Sequence, residues 1–267
     1  MSGRDKTAGE ALLNGRVALI SGGARGIGLA IAGRFQREGA QVFLLDCDKS
    51  EGMTAASQLT ARVPAIPAIF LHADVKSESE LQAAIGTVKQ TAGRLDLLVN
   101  NAAIEFERDF ANLTAEDWDS VLDVNLRGAF LLTKIALPLF PKDGGAIINI
   151  SSIHASHAFP GSLPYACAKA GLVAMTRNLA LELAPRHIRV NSISPGYIDT
   201  RLWEEYLRHV SNPVEVAART AALHPVGRRG NPGDVAEAAL FLANGNSSFV
   251  TGTDLVVDGG LTIRAHS

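Results

Sequence analysis

A short apolar run, Val17-Ala18-Leu19-Ile20, leads into Ser21-Gly22-Gly23-Ala24-Arg25-Gly26-Ile27-Gly28, and an amphipathic stretch with Leu29, Ile31, Ala32 and Phe35 follows. Strand, tight glycine turn and helix in that order constrain this chain more than any other segment does. Glycine enters positive φ freely and carries no Cβ, so the backbone at Gly22, Gly26 and Gly28 can turn sharply and approach a pyrophosphate closely. A helix starting at the turn aims the positive end of its dipole at that point, which favours a bound phosphate. The spacing is Gly-x3-Gly-x-Gly and departs from the Gly-x-Gly-x-x-Gly form. The flanking strand and helix therefore carry as much of the reading as the glycines do: a turn that binds a dinucleotide.

The second strand, Val42-Phe43-Leu44-Leu45, ends in Asp46, eighteen residues after Gly28. A carboxylate there can accept hydrogen bonds from the adenosine ribose hydroxyls, and it repels a 2′-phosphate. Arg25, in the glycine turn, argues the other way, since a guanidinium can bind that phosphate. Asp46 acts on the phosphate directly and weighs more, so NAD is favoured over NADP.

The alternation continues to the end of the chain. Strand-like runs recur at 17–21, 42–46, 67–71, 95–99, 145–151, 188–193 and 254–257. Helical periodicity fills 27–38, 49–61, 77–92, 115–139, 163–184 and 233–243 between them. Leu95-Asp96-Leu97-Leu98-Val99 and Ala146-Ile147-Ile148-Asn149-Ile150 are nearly continuous apolar stretches, as parallel strands covered on both faces require. Right-handed crossovers then predict an α/β fold: a doubly wound, Rossmann-type parallel sheet of seven strands with helices on both faces. Residues 16–263 read as a single domain and residues 1–15 as a flexible amino-terminal extension. Residues 200–231, with Pro213, Pro225 and a helical pattern around 202–222, interrupt the alternation and are expected to form a flap over the substrate.

Composition narrows the class of partner. With 267 residues, 47% of them hydrophobic, the chain can bury one large core, and its formal charge of −2 gives no electrostatic reason to expect nucleic acid or an anionic membrane. Cys47 and Cys167 are too few for a disulfide framework and suit a reducing compartment. Residues 1–15 lack the apolar core of a signal peptide. The most apolar helical pattern, around 129–140, is broken by Lys134 and Pro138, so no membrane span is expected. No His/Cys cluster has zinc spacing, and no catalytic metal is expected. A soluble, cytoplasmic protein follows from these features together.

Tyr165 and Lys169 lie four residues apart in a helical stretch, with Ser152 thirteen residues upstream. That spacing stacks phenol and ammonium on one helix face. A phenol is a weak acid, with a pKa of about 10. A fixed cation beside it favours the phenolate and makes it usable as a proton donor and acceptor.

These features together resemble the short-chain dehydrogenase/reductase family, and the resemblance spans about Arg16 to Ile263. Its further marks are Asp74-Val75, Asn100-Asn101-Ala102-Ala103, Asn125, Ile150-Ser151-Ser152 and Pro195-Gly196-Tyr197-Ile198-Asp199-Thr200. The resemblance implies hydride transfer between a nicotinamide and a carbinol carbon, with Tyr165 exchanging the proton on the substrate oxygen. In the roles it implies, Ser152 holds that oxygen, Lys169 lowers the Tyr165 pKa and binds the nicotinamide ribose, and Asn125 holds a water that relays protons from Lys169. It also assigns Asp74 and Val75 to the adenine and Asn101, with Ala102, to the floor of the nucleotide site. Ile198 and Thr200, after Pro195 and Gly196, would fix the carboxamide. Ala103 stands where the family's motif usually has glycine, so a positive φ there would cost about 1 kcal/mol.

Within the family the chain looks most like NAD-dependent sugar or hydroxysteroid dehydrogenases. Glu105, His154, His157, Tyr197, Trp203 and Tyr206 are the candidate pocket residues, and the hydrogen-bonding groups of Glu105, His154 and His157 favour a sugar or polyol. The alternatives are a hydroxysteroid dehydrogenase and an NADPH-dependent 3-oxoacyl-type ketoreductase. The apolar surface of 115–139 and 163–184 exceeds what one sheet face covers, and with the resemblance it points to a homotetramer.

Overall fold

The computed structural model describes residues 11–264. Seven strands form one parallel sheet in the order β3-β2-β1-β4-β5-β6-β7: β1 Val17–Ser21, β2 Gln41–Asp46, β3 Ile69–His72, β4 Leu97–Asn100, β5 Gly145–Ile150, β6 Ile188–Pro195 and β7 Asp254–Val257. The strand order reverses between β1 and β4, both parallel, so a crevice opens at their carboxyl ends. The fold is the expected doubly wound α/β sheet.

Helices α1 Gly26–Arg37, α2 Lys49–Arg62 and α9 Pro232–Ala243 cover one face, where Ile31, Phe35, Leu59 and Val235 pack on Ala18, Ile20 and Leu44. On the other, α3 Glu78–Ala92, α5 Gly128–Ala136 and α6 Leu163–Leu183 bring Leu81, Val88, Leu132 and Leu183 onto Leu19, Phe43 and Leu98. The remaining helices are α4 Ala115–Leu122, which precedes α5, and α7 Arg201–His209 and α8 Pro213–Leu223, which follow β6. All five residues of β1 are buried, which explains its unbroken apolar run. Each fully buried aliphatic side chain of this kind contributes about 1.5–3 kcal/mol.

Asp96, a polar residue in the apolar run before β4, is fully buried and takes hydrogen bonds from Arg16 at 2.8 Å, Arg94 at 2.5 Å and the Val17 N–H at 3.0 Å. The carboxylate thereby ties the amino ends of the two central strands together.

Three expectations change. Residues 1–10 of the expected flexible extension lie outside the described residues, but Leu13 is buried at 1% exposure and the Leu12 N–H binds the Glu38 carboxylate. The packed body therefore begins ahead of Arg16, because Leu13 fills a gap beside the end of α1. The single helix expected over 115–139 is α4 and α5 joined by a π-helical turn, Asp123–Arg127. The helical pattern around 202–222 is two helices, parted where Asn212 caps α8 and Pro213 starts it.

Candidate active site

The glycine turn closes on itself so tightly that no side chain fits at Gly22, Gly23 or Gly28. A Cβ on Gly28 would sit 2.2 Å from the Gly22 carbonyl oxygen, and one on Gly22 2.8 Å from Asn101 Nδ2. Asn101 fastens the turn by donating to the Ser21 and Gly22 carbonyls, at 3.0 Å each. The Ser21 hydroxyl accepts from the Asn101 and Ala102 N–H groups. No side chain caps α1, and its first turn holds no acidic residue, so the N–H groups that begin with Gly26 and Ile27 are left for an anion. These residues fit the pyrophosphate of a dinucleotide.

The residues expected at the adenosine end lie beside them. Asp46 accepts from the Ala24 N–H through one oxygen and from the Asp48 N–H through the other, at 3.1 Å each. Its carboxylate is thus anchored to the glycine turn with 8% exposure. Arg25 is exposed, and Asp46, Asp74 and Arg25 all act on the Cys47 thiol, so they share one corner. Asp74 also shapes its own loop by accepting from the Lys76 N–H, while Val75 is buried against Gly128 at the start of α5. Across the cleft, Thr200 reaches the glycine turn: a Cβ on Gly26 would lie 3.6 Å from the Thr200 methyl. Pro195 ends β6, Gly196 backs onto Asp258, and Ile198 is buried and bridges Gly230. Positive φ among the described non-glycine residues occurs at His187 alone, so Ala103 carries no such strain.

At the other end of the crevice Tyr165 and Lys169 share one face of α6 as the spacing requires. The Lys169 Nζ lies 5.3 Å from the Tyr165 ring centroid and donates to the Ile150 carbonyl at 2.8 Å. Ser151 donates to the Lys169 carbonyl at 3.1 Å, so the end of β5 grips α6 at two points. Ser152 follows with 8% exposure, its hydroxyl accepting from the His154 N–H.

The electrostatics differ from the sequence expectation. Burial is the largest influence on the Tyr165 phenol and pushes its pKa well up; Glu105 adds to that, and the neighbouring Ser152 hydroxyl opposes it. Burial likewise brings Lys169 down to about 8, against the pull of Glu105. With both groups buried and Lys169 donating to the Ile150 carbonyl, burial outweighs the neighbouring cation in this arrangement.

Asn125 sits within the π turn at 1% exposure. Its Nδ2 donates to the Ile104 and Val121 carbonyls at 2.9 Å each, and its Oδ1 is buried with no partner. A π turn breaks the regular ladder and recurs at functional sites.

The wall beside Tyr165 is a chain of rings. His154 meets Tyr165 edge-on at 5.3 Å and stacks on Phe159 at 4.2 Å. Phe159 leads to Tyr197, Tyr197 to Trp203 at 5.6 Å, and Trp203 to Tyr206 at 5.3 Å. Glu105 joins it through His154, whose Nδ1 lies 3.7 Å from its carboxylate. The structure thus assembles five of the six candidate pocket residues. His157 is the exception: it is exposed, and its ring bonds to the adjacent Ser156. Phe159 and His224, whose ring lies 5.9 Å from Tyr197, complete the wall. Neither stands out in the sequence, since no motif or periodicity marks them.

A Rossmann crevice with a glycine turn at one end and a buried Tyr-Lys-Ser cluster at the other defines a class, and the chain belongs to the short-chain dehydrogenase/reductase family. The family described as Enoyl-(Acyl carrier protein) reductase matches residues 22–262. An L-fucose dehydrogenase of Bos taurus is 38% identical, over 92% of this chain and 89% of its own. The 3-oxoacyl-(acyl-carrier-protein) reductase FabG of Thermotoga maritima is 38% identical, over 94% and 99%. The crystal structure of levodione reductase matches with a TM-score of 0.91 at 31% identity, covering 95% of this chain and 100% of the other. The protein is accordingly an oxidoreductase of a family that generally uses NAD(P).

Proposed function

We propose that this protein is an NAD-dependent dehydrogenase of secondary alcohols, acting on a sugar or polyol. The observation that carries the reading is the buried Tyr165, set beside Lys169 on one face of α6 and bordered by the hydrogen-bonding groups of Glu105 and His154. When bound, the nicotinamide supplies the acceptor for the hydride that leaves the carbinol carbon, or its donor in the reverse direction. Tyr165 takes the proton from the substrate oxygen, and Ser152 orients that oxygen by a hydrogen bond. Lys169 holds a positive charge beside the phenol and favours the phenolate once the proton must leave. The unpartnered Asn125 Oδ1 is the acceptor on which a relaying water would rest. Asp46 supports NAD, since its anchored carboxylate repels a 2′-phosphate; the similarity to an L-fucose dehydrogenase supports a sugar substrate.

Residues 200–231 serve in this reading as the flap, with 16–263 as one catalytic domain. Arg229 holds the flap's base by binding Asp199 at 2.7 Å and lying 5.0 Å over the Trp203 ring. Exposed Phe130 and Leu181 on α5 and α6, and Phe241, Phe249 and Val256 around α9 and β7, support a homotetramer. Free Cys47 and Cys167 suit the cytoplasm, and among the described residues no helix is long and apolar enough to cross a membrane. The test is a panel of sugars, polyols, steroids and 3-oxoacyl compounds, followed by nicotinamide absorbance with each nucleotide. Sugars or polyols with NAD should react fastest, and a steroid or an acyl ketone with NADPH at the head of the ranking would overturn the assignment.

A further inference from the structure

Glu105 occupies an unusual position for a carboxylate. It sits in the ring-lined wall beside Tyr165, with only about a fifth of its side chain open (21%). Oε1 accepts from the Ser162 hydroxyl at 3.2 Å and lies 3.7 Å from His154 Nδ1. Ser162 is the N-cap residue of α6, yet its side chain caps nothing, because the hydroxyl is spent on Glu105. Among the described residues Oε2 receives no hydrogen bond, and His154 Nδ1 is buried without a partner. Burial raises the carboxyl to about 7, against the pull of Ser162 and Lys169; Glu107 adds to the rise. Oε2 is not enclosed with the buried unpartnered atoms, so it faces the open side of the wall, where a ligand's donor can replace water.

Position says what that donor is. The His154 ring meets both the Glu105 carboxylate, at 3.7 Å, and the Tyr165 ring, edge-on at 5.3 Å, so carboxylate and phenol border the same pocket. For a carbinol oxygen held by Tyr165 and Ser152, a hydroxyl on the neighbouring carbon is the substrate group that would face this wall. Resting on the dehydrogenase reading above, we propose that Glu105, backed by His154 and Ser162, accepts a hydrogen bond from the hydroxyl adjacent to the carbinol being oxidised, and so selects vicinal diols over isolated secondary alcohols. The charged and titratable groups facing Glu105 are His154 on the loop after β5, Lys169 and Tyr165 on α6, Tyr197 after β6, and Glu107 on its own segment. Ionised, the carboxylate makes a charge-assisted bond, worth roughly a ten- to hundredfold preference.

The experiment compares cyclohexane-1,2-diol with cyclohexanol, in the wild-type protein and in Glu105→Gln, with each nucleotide and above the range in which Glu105 titrates. Because both substrates are measured on one preparation, their ratio of kcat/KM is insensitive to how much of the variant folds. The wild type should favour the diol by about tenfold or more, and Glu105→Gln should remove most of that preference through a higher KM for the diol. A wild type indifferent to the second hydroxyl overturns the proposal, as does a variant in which both substrates decline in parallel, since that places Glu105 solely in the support of α6. If neither alcohol is oxidised while the sugars and polyols of the panel are, a vicinal pair does not suffice and this proposal fails alone. If no member of the panel reacts with either nucleotide, the dehydrogenase reading is lost with it.

Discussion

Around the glycine turn, Ser21, Asp46 and Asn101 all spend their side chains on backbone groups of the turn and its neighbours. On the wall beside Tyr165, the rings of His154, Trp203 and His224 each bury a nitrogen that has no partner. The first region uses its polar atoms to build a shape, and in the proposed reading that shape binds the nucleotide through backbone and dipole. The second leaves polar atoms in reserve at an energetic cost, which a ligand with hydroxyl groups relieves. Steric changes should therefore damage one region and changes of charge or hydrogen bonding the other.

The largest test removes one oxygen. Tyr165→Phe should lower kcat by about 10²–10⁴-fold, with nucleotide affinity nearly unchanged by fluorescence titration. An equal loss of affinity would mean that the phenol belongs to the nucleotide site instead. Gly28→Ala reverses that pattern, because the added methyl collides with the Gly22 carbonyl oxygen. Overpacking of this kind costs about 1–3 kcal/mol, seen as roughly ten- to hundredfold weaker nucleotide binding in the same titration. Asp46→Ser should raise the ratio of kcat/KM with NADP to that with NAD by about tenfold, and an unmoved ratio would transfer nucleotide choice to Arg25. The smallest effect sharpens the second region. The Glu105 anion raises the Tyr165 phenol, so Glu105→Gln should move the rise of alcohol oxidation with pH to lower pH. A pH–rate profile that moves upward would show that the carboxyl acts on the phenol other than through its charge.

Much of the fold could be read from local pattern because the inner strands bury nearly continuous runs, as β5 does with Ala146 to Ile150, whereas the edge strands β3 and β7 are mostly half-buried. The Tyr165-Lys169 face was legible for a similar reason, being a matter of spacing within one helix. What stayed hidden depends on contacts between distant segments. Hydrophobic periodicity over 115–139 does not register the extra residue of a π turn, so the break in the helix at Asn125, a residue only the family resemblance marks, is not visible in the sequence. His154 and His157 look alike in sequence, and only the loop's folding stacks one ring on Phe159 and leaves the other exposed. A cation four residues away suggests a depressed phenol pKa, but the depth at which both groups are buried is a property of the whole domain.

Thr200, whose methyl lies 3.6 Å from where a Cβ on Gly26 would sit, opens the segment that carries Trp203 and Tyr206. If the glycine turn holds the phosphates as proposed, rebuilding that segment to admit a bulkier alcohol would not leave the nucleotide untouched, because its first residue packs beside the same loop. Selectivity engineering on α7 should therefore be scored on both axes at once, since a gain in substrate scope will tend to surface as a drift in coenzyme affinity.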